Sequence, residues 1–337
     1  VAMWPLSGVI DRASLPLIAS VGQVATGLLA IALLRGRVLL PPEIFQQSAF
    51  SLRNTLSFIA VNLLLTPFVL IYAGLALTSY YLEEQTAGFL RISPVGIYMA
   101  ERSYHHDAKE IRLAGMIHIG KEEYYEDLAG SLSTEATIIL TEGVTDRQHL
   151  LEHNFNYSKL AGVIGLSSQD KMQIDGNLVD LDESSQVTRG TGGKPDIAWA
   201  DIDLSRFDPQ TLEFLNAIGR TLFSGKPLLE ALAEYSAWAN ENMTTERVAV
   251  VMADIIDKRN ESVIASLSKT LQHYDTIIIP WGAMHMPAIE AAILDQGFKQ
   301  GEKKERMSLD FRTLPYRELW QKWSAHAAAV RAPASST

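Results

Sequence analysis

The 337-residue chain contains no cysteine, which excludes disulfide staples, thiolate nucleophiles and sulfur-ligated metal centres. Charge is absent from two long stretches: residues 13–34 and 55–82 hold no Asp, Glu, Lys or Arg. Basic residues are in the minority, 29 Lys and Arg against 39 Asp and Glu, for a net charge of −10. Residues 1–82 hold four arginines and two acids, so the excess of negative charge lies in the remainder. An acidic globular portion lacks the cationic surface that a phosphate backbone requires, and this excludes nucleic acid as a partner.

The two uncharged runs are the first positive feature. About 20 apolar residues in a helix cross a hydrocarbon core. Residues 1–83 are therefore expected to form a membrane anchor of two transmembrane helices, about 13–34 and 55–82, with the lipid bilayer as partner. The second run contains Pro67 and Gly74, which membrane helices tolerate, and Tyr72, Tyr80 and Tyr81 suit an interface. Arg35, Arg37 and Arg53 lie between the runs, and Glu83 and Glu84 follow the second. The positive-inside rule places that short loop in the cytoplasm. The protein is thus expected to be multi-pass, with a large extracytoplasmic C-terminal domain. Residues 327–337, rich in Ala, Pro and Ser, are expected to be a disordered tail.

Residues 84–326 carry α/β periodicity. Residues 111–117 read as a short buried strand that stops at His118, after which Tyr124 or Tyr125, Leu128 and Leu132 recur at helical spacing. Gly115 and Gly120 punctuate the change of period. The unit returns downstream, where a strand over 276–282 leads through Gly282 to His285 and into a helix with Pro287 in its first turn. Between them, residues 136–141 form a strand that ends at Glu142. Strand, helix, strand over this length predicts a βαβ unit with parallel pairing. Residues 87–100 read as extended, and 101–109 as a polar turn that exposes His105 and His106. The glycine-rich stretch 175–196 reads as a loop or lid. Helices are predicted from Pro209, from Pro227, over 245–256 and over 262–272. The expected fold class is α/β, a parallel-rich sheet with inserted helices, preceded by two transmembrane helices.

His118, Glu142 and His285 all end strands, the edge at which open α/β sheets bind ligands. Two imidazoles and a carboxylate make an open metal set with room for water and substrate, and a divalent ion there acidifies water and polarises a carbonyl. Arg147 and Arg259 are candidates to hold a substrate carboxylate or to stabilise developing negative charge. Glu101, Arg102, Asp201 and Asp203 read as surface or capping groups. Two other classes stay open: a protein that sequesters a peptide or signal without cutting it, and a ligand carrier, for instance of haem.

Taken in order, Gly115-x-x-His118, Glu142 with Gly143 and Arg147, Arg259 with Asn260, and Gly282-x-x-His285 resemble the TraB/PrgY/GumN family, which includes the TIKI metalloproteases. Ala200 and Asp201 resemble the Ala-Asp stretch that opens the family's helical middle. The resemblance covers roughly residues 110–300 and leaves the membrane segments outside. It implies a fold similar to that of the erythromycin-esterase and haem-binding ChaN-like proteins. It further implies a divalent metal (Mn, Co or Zn) on His118, Glu142 and His285, and catalytic roles for Arg147, Arg259 and Asn260. The implied activity is metallopeptidase-like hydrolysis of a peptide or small-molecule substrate. Family members often continue the second histidine unit with small or polar residues and a glycine, where this chain has Met286, Pro287 and Ala288.

Overall fold

The computed structural model describes residues 20–22, 24–25, 28–29, 32, 52–132, 137–153, 161–162, 166–169, 172–181, 193–222, 226, 228–318, 320–321 and 324. The chain divides into two compact units, Val1–Leu82 and Glu83–Thr337.

The first unit is dominated by helix α1 (Leu52–Gln85), which holds Pro67 in its interior. Residues such as Leu63, Leu64, Phe68 and Leu70 are exposed all round it. Its polar side chains turn back on their own helix: Asn62 Nδ2 donates to the Phe58 carbonyl at 2.8 Å and Thr66 Oγ1 to the Asn62 carbonyl at 2.7 Å. Such internal satisfaction is what an apolar medium demands. Among the described residues, Thr55–Gln85 is the one helix long and apolar enough to cross a membrane. The other expected span, 13–34, falls mostly outside the described residues, as does the whole of the tail from residue 327.

The second unit is built on an eight-stranded sheet. Its strands are β1 (Leu90–Ser93), β2 (Gly96–His106), β3 (Lys109–Met116), β5 (Thr137–Thr141), β7 (Asn177–Leu178), β8 (Asp196–Trp199), β9 (Thr276–Gly282) and β10 (Lys299–Asp310). The order is β1-β2-β3-β9-β5-β8-β7, with β10 on the other side of β2. From β3 to β7 every pairing is parallel, whereas β1, β2 and β10 are antiparallel. Strands β4 (Ile119–Gly120) and β6 (Ser167–Ser168) form a separate antiparallel ladder. The helices are α2 (Glu122–Leu132), α3 (Pro209–Leu222), α4 (Leu228–Asn242), α5 (Thr245–Met252), α6 (Arg259–Thr270) and α7 (Met286–Asp295), and a π-helical segment, Ala253–Lys258, joins α5 to α6.

The core follows from the apolar periods. Ile277, Ile278 and Ile279 of β9 are each 0% exposed, the pattern of a parallel strand covered on both faces. Helix α2 buries Tyr124, Tyr125, Leu128 and Leu132, α6 buries Val263 and Leu267, and α7 buries Met286, Ile289 and Ile293. These are three- and four-residue spacings that make one apolar stripe per helix.

Three expectations are corrected. Strands β3 and β5 do not pair with each other, because β9 lies between them and is parallel to both. A run of three isoleucines is apolar on both faces and is best buried with a strand on each side, so it takes the middle. Residues 101–106 continue β2 rather than turning, and the reversal is confined to Asp107 (φ 52°) and Ala108. Glu101 and Arg102 are buried, not surface. Glu101 is held by Arg112 and Arg306, and Arg102 pairs with Glu290 at 2.7 Å. Pairing of this kind lets charged residues occupy interior strand positions that a hydrophobic period does not reveal. His105 and His106 are exposed, as expected.

Candidate functional site

The carboxyl ends of the parallel strands deliver the candidate residues. Glu142 follows β5, and Asp201 stands two residues beyond β8, whose Trp199 is in register with Thr141. His285 follows β9 after a tight turn in which its N–H donates to the Gly282 carbonyl at 2.9 Å and the Ala283 N–H to the Met116 carbonyl at 3.1 Å. Arg259 and Asn260 open α6, which packs on both β5 and α7. The two glycines of the repeated unit serve different ends. A Cβ on Gly115 would meet the Ala100 carbonyl oxygen at 3.2 Å and Phe89 at 3.3 Å, whereas Gly282 has room for one.

Two carboxylates share one guanidinium. Arg259 Nη2 donates to Glu142 Oε1 at 2.7 Å and to Asp201 Oδ2 at 2.7 Å, and Nε donates to Asp201 Oδ1 at 3.0 Å. Backbone donors complete both acids. The Gly282 N–H reaches Glu142 Oε2 at 2.7 Å, the Gly143 N–H reaches Asp201 Oδ2 at 2.9 Å, and the Ile202 N–H reaches Asp201 Oδ1 at 2.8 Å. The carboxyl groups are hardly accessible, at 5% for Glu142 and 0% for Asp201. The Arg259 guanidinium lies 5.5 Å above the Trp281 ring, and that indole is itself fixed by donation to the Leu140 carbonyl at 3.0 Å. Burial disfavours the arginine's charge, but Asp201 and Glu142 together outweigh burial and hold its pKa above the usual value.

His285 is buried edge-on against Trp281, with ring centroids 5.2 Å apart. Nδ1 lies 2.8 Å from Asn260 Oδ1, and Nε2 lies 3.7 Å from Glu142 Oε1. The amide oxygen can only accept, so the proton sits on Nδ1 and Nε2 carries the lone pair. The opposite amide orientation would put the proton on Nε2, too far from Oε1 for a hydrogen bond. Burial, reinforced by the Arg259 charge, pushes the imidazole pKa down to about 4, and the ring is neutral near pH 7.

His118 lies two residues past the end of β3, with an exposed ring whose Nδ1 is 2.8 Å from Gln169 Oε1. Among the described residues, no three His, Asp or Glu side chains close into a metal-ligand group. The structure thus brings Glu142, Arg259, Asn260 and His285 together and leaves His118 at the rim. The exposed Arg147 contributes its backbone N–H to Asp203 Oδ2 at 3.1 Å, and its guanidinium forms no ion pair among the described residues. Asp203 caps the short helix Leu204–Arg206, as expected. Asp201 does not fit its expected role as a surface or capping group, since its buried carboxylate pairs with Arg259 as the second anion of the site. Its signal was positional: it stands just past a buried strand, as Glu142 does.

Compared with protein-family models, with curated proteins and with solved structures, the chain finds no match. The chemistry has to be read from the side chains. One neutral imidazole, two carboxylates and one guanidinium leave a buried excess of one negative charge beside an electron-pair donor, an arrangement suited to binding a cation.

Proposed function

We propose that this chain is a membrane-anchored hydrolase that uses a divalent metal to cleave an amide or ester bond in a peptide or small molecule. The observation that carries the reading is the meeting of His285 Nε2 and Glu142 Oε1 at 3.7 Å. Two lone-pair atoms at this separation repel unless a proton or a cation is shared between them. Arg259 already donates to Oε1, and Asn260 keeps the imidazole proton on the far side of the ring, so a small cation is what Nε2 and the remaining lone pair of Oε1 fit. An imidazole nitrogen and a carboxylate oxygen, with no sulfur, suit Mn, Co or Zn. His118 is the third donor, brought in from the end of the adjacent strand.

The chemistry that such an ion supplies is Lewis acidity toward water and a carbonyl. The chain's own residues do the rest. Asn260 holds His285 in the ligating tautomer. Asp201 and Glu142 orient Arg259, whose Nη1 has no partner among the described residues and is available to negative charge that develops on the substrate. The order of the short motifs, similar to that of the TraB/PrgY/GumN family, supports the same reading.

Metal content and hydrolysis of a peptide library, measured on the same preparations of full-length protein, test it. His285→Ala and His118→Ala are expected to lose both metal and turnover, and Glu142→Gln to weaken both. Should both histidine variants keep full metal, or the parent protein take up none at any pH, the hydrolase reading fails. A bound peptide without product would point to sequestration, and a Soret band to a haem carrier.

The same reading includes orientation. With Arg35, Arg37 and Arg53 in a cytoplasmic loop, protease added outside intact cells is expected to degrade the large C-terminal unit. Protection until the membrane is opened would reverse the topology.

A further inference from the structure

The two histidines of the repeated unit are held in the same way by unrelated segments. Each ring's Nδ1 lies 2.8 Å from a carboxamide oxygen, Asn260 Oδ1 for His285 and Gln169 Oε1 for His118. Asn260 follows Arg259 at the start of α6. Gln169 belongs to none of the sequence motifs and reaches the site because the chain beyond β5 returns to the end of β3. There Ser168 pairs with Ile119 and Ser167 with Gly120. Both serines are buried, so this strap is anchored next to the residue it presents. Gln169 then grips His118 twice, since its backbone N–H also donates to the His118 carbonyl at 2.9 Å.

We propose that Gln169 is the positioning residue of His118: its carboxamide oxygen takes the Nδ1 proton and leaves Nε2 as the lone-pair nitrogen on the opposite side of the ring. The inference rests on reading His118 as a ligand, and it accounts for a side chain that this reading had not used. A hydrogen bond to the other ring nitrogen sets which imidazole nitrogen can ligate. The bond is made to an exposed ring, where one neutral hydrogen bond adds little to stability. Its consequence is directional. A carboxamide is also the fitting partner here, because it fixes the tautomer without adding to the negative charge already in excess at Glu142 and Asp201.

The test reads the tautomer directly. Full-length protein labelled with 15N-histidine, in detergent micelles and free of metal, is examined by long-range 1H–15N correlation at about pH 8, above the ordinary histidine range. Each ring is assigned from the signals lost in its own glutamine variant. In the parent protein both His118 and His285 are expected to carry the proton on Nδ1. Gln169→Leu is expected to move His118 to the Nε2–H form that free imidazole side chains prefer in water, with His285 unchanged as the internal control of folding. Gln169→Asn, which withdraws the oxygen by one methylene, should act as the leucine variant does, and Gln169→Glu should restore Nδ1–H. Metal affinity in the leucine variant is expected to fall about 10–100-fold. An Nε2–H form at His118 in the parent protein, or an unchanged tautomer in both the Leu and Asn variants, overturns the proposal. The two readings fail separately. A tautomer switch in a protein that takes up no metal upholds Gln169 and removes the metal. Parent-level metal binding with an unaltered tautomer does the reverse.

Discussion

Replacing Arg259 with methionine is expected to destabilise the C-terminal unit by about 3–5 kcal/mol, the cost of leaving a buried charge without its partner. Glu142 and Asp201 are almost inaccessible to water, and the guanidinium is the cation between them. Methionine keeps most of the side-chain bulk against Trp281, so the loss is electrostatic rather than a cavity effect. A fall in the thermal midpoint of roughly 10 °C corresponds to this range for a unit of such size. Adding Asp201→Asn should recover part of the loss, because one anion with the Gly282 N–H on it is easier to hold than two facing each other. Metal content should survive in the single variant, since arginine has no lone pair to offer, while turnover falls. A midpoint within 2 °C of the parent would mean that the carboxylates do not depend on Arg259.

The second large effect is on pH dependence. In the metal-free folded protein His285 titrates near 4, against an ordinary value of 6.5. Between these two values the unfolded chain binds a proton that the native state refuses, so stability rises with pH. The contribution is complete above about 6.5 and is lost as pH falls toward about 4, amounting to about 3 kcal/mol. Urea unfolding of the metal-free protein across that window should show the slope, and His285→Gln, which has nothing to titrate, should flatten it. Equal slopes in the two proteins would show that His285 is not held neutral by the fold. Metal affinity at His285 is expected to hold across that interval and to fall only as pH approaches about 4, because the folded imidazole stays neutral until then and a protonated imidazole cannot ligate.

Much of this arrangement was legible in the sequence because local periods carry it. The isoleucines of β9, the tyrosines and leucines of α2 and the glycines before His118 and His285 announce strand, helix and boundary without reference to the rest of the chain. What was hidden depends on partners distant in sequence. Strand β10 is charged and largely exposed over Lys299–Glu305, so no alternation marks it, and only pairing with β2 makes it a strand. Glu101 looks like a surface residue until Arg112 and Arg306 are brought to it. Asp201 looks like a cap until Arg259, from a helix well downstream, closes on it. The position of β9 between β3 and β5 is a property of the assembled sheet, which a βαβ pattern does not encode. Gln169 carries no local signal at all.

That last-arriving central strand has a consequence for how the molecule is made. Strands β3 and β5 leave the ribosome early, joined by α2, and each lacks its proper neighbour until β9 has been synthesised. The sheet cannot close progressively from the N-terminus. It must keep a gap open, or reopen one, and admit a strand to its centre, and such long-range pairing is the slow kind. The helix start that bears Arg259 arrives just before that strand and His285 just after it, so the cluster around Glu142 is incomplete in any chain that stops short of residue 285. A chain interrupted before residue 276 is therefore not a weakened version of this molecule but an open sheet edge, flanked by two hydrophobic strands and ready to pair with whatever strand it meets first.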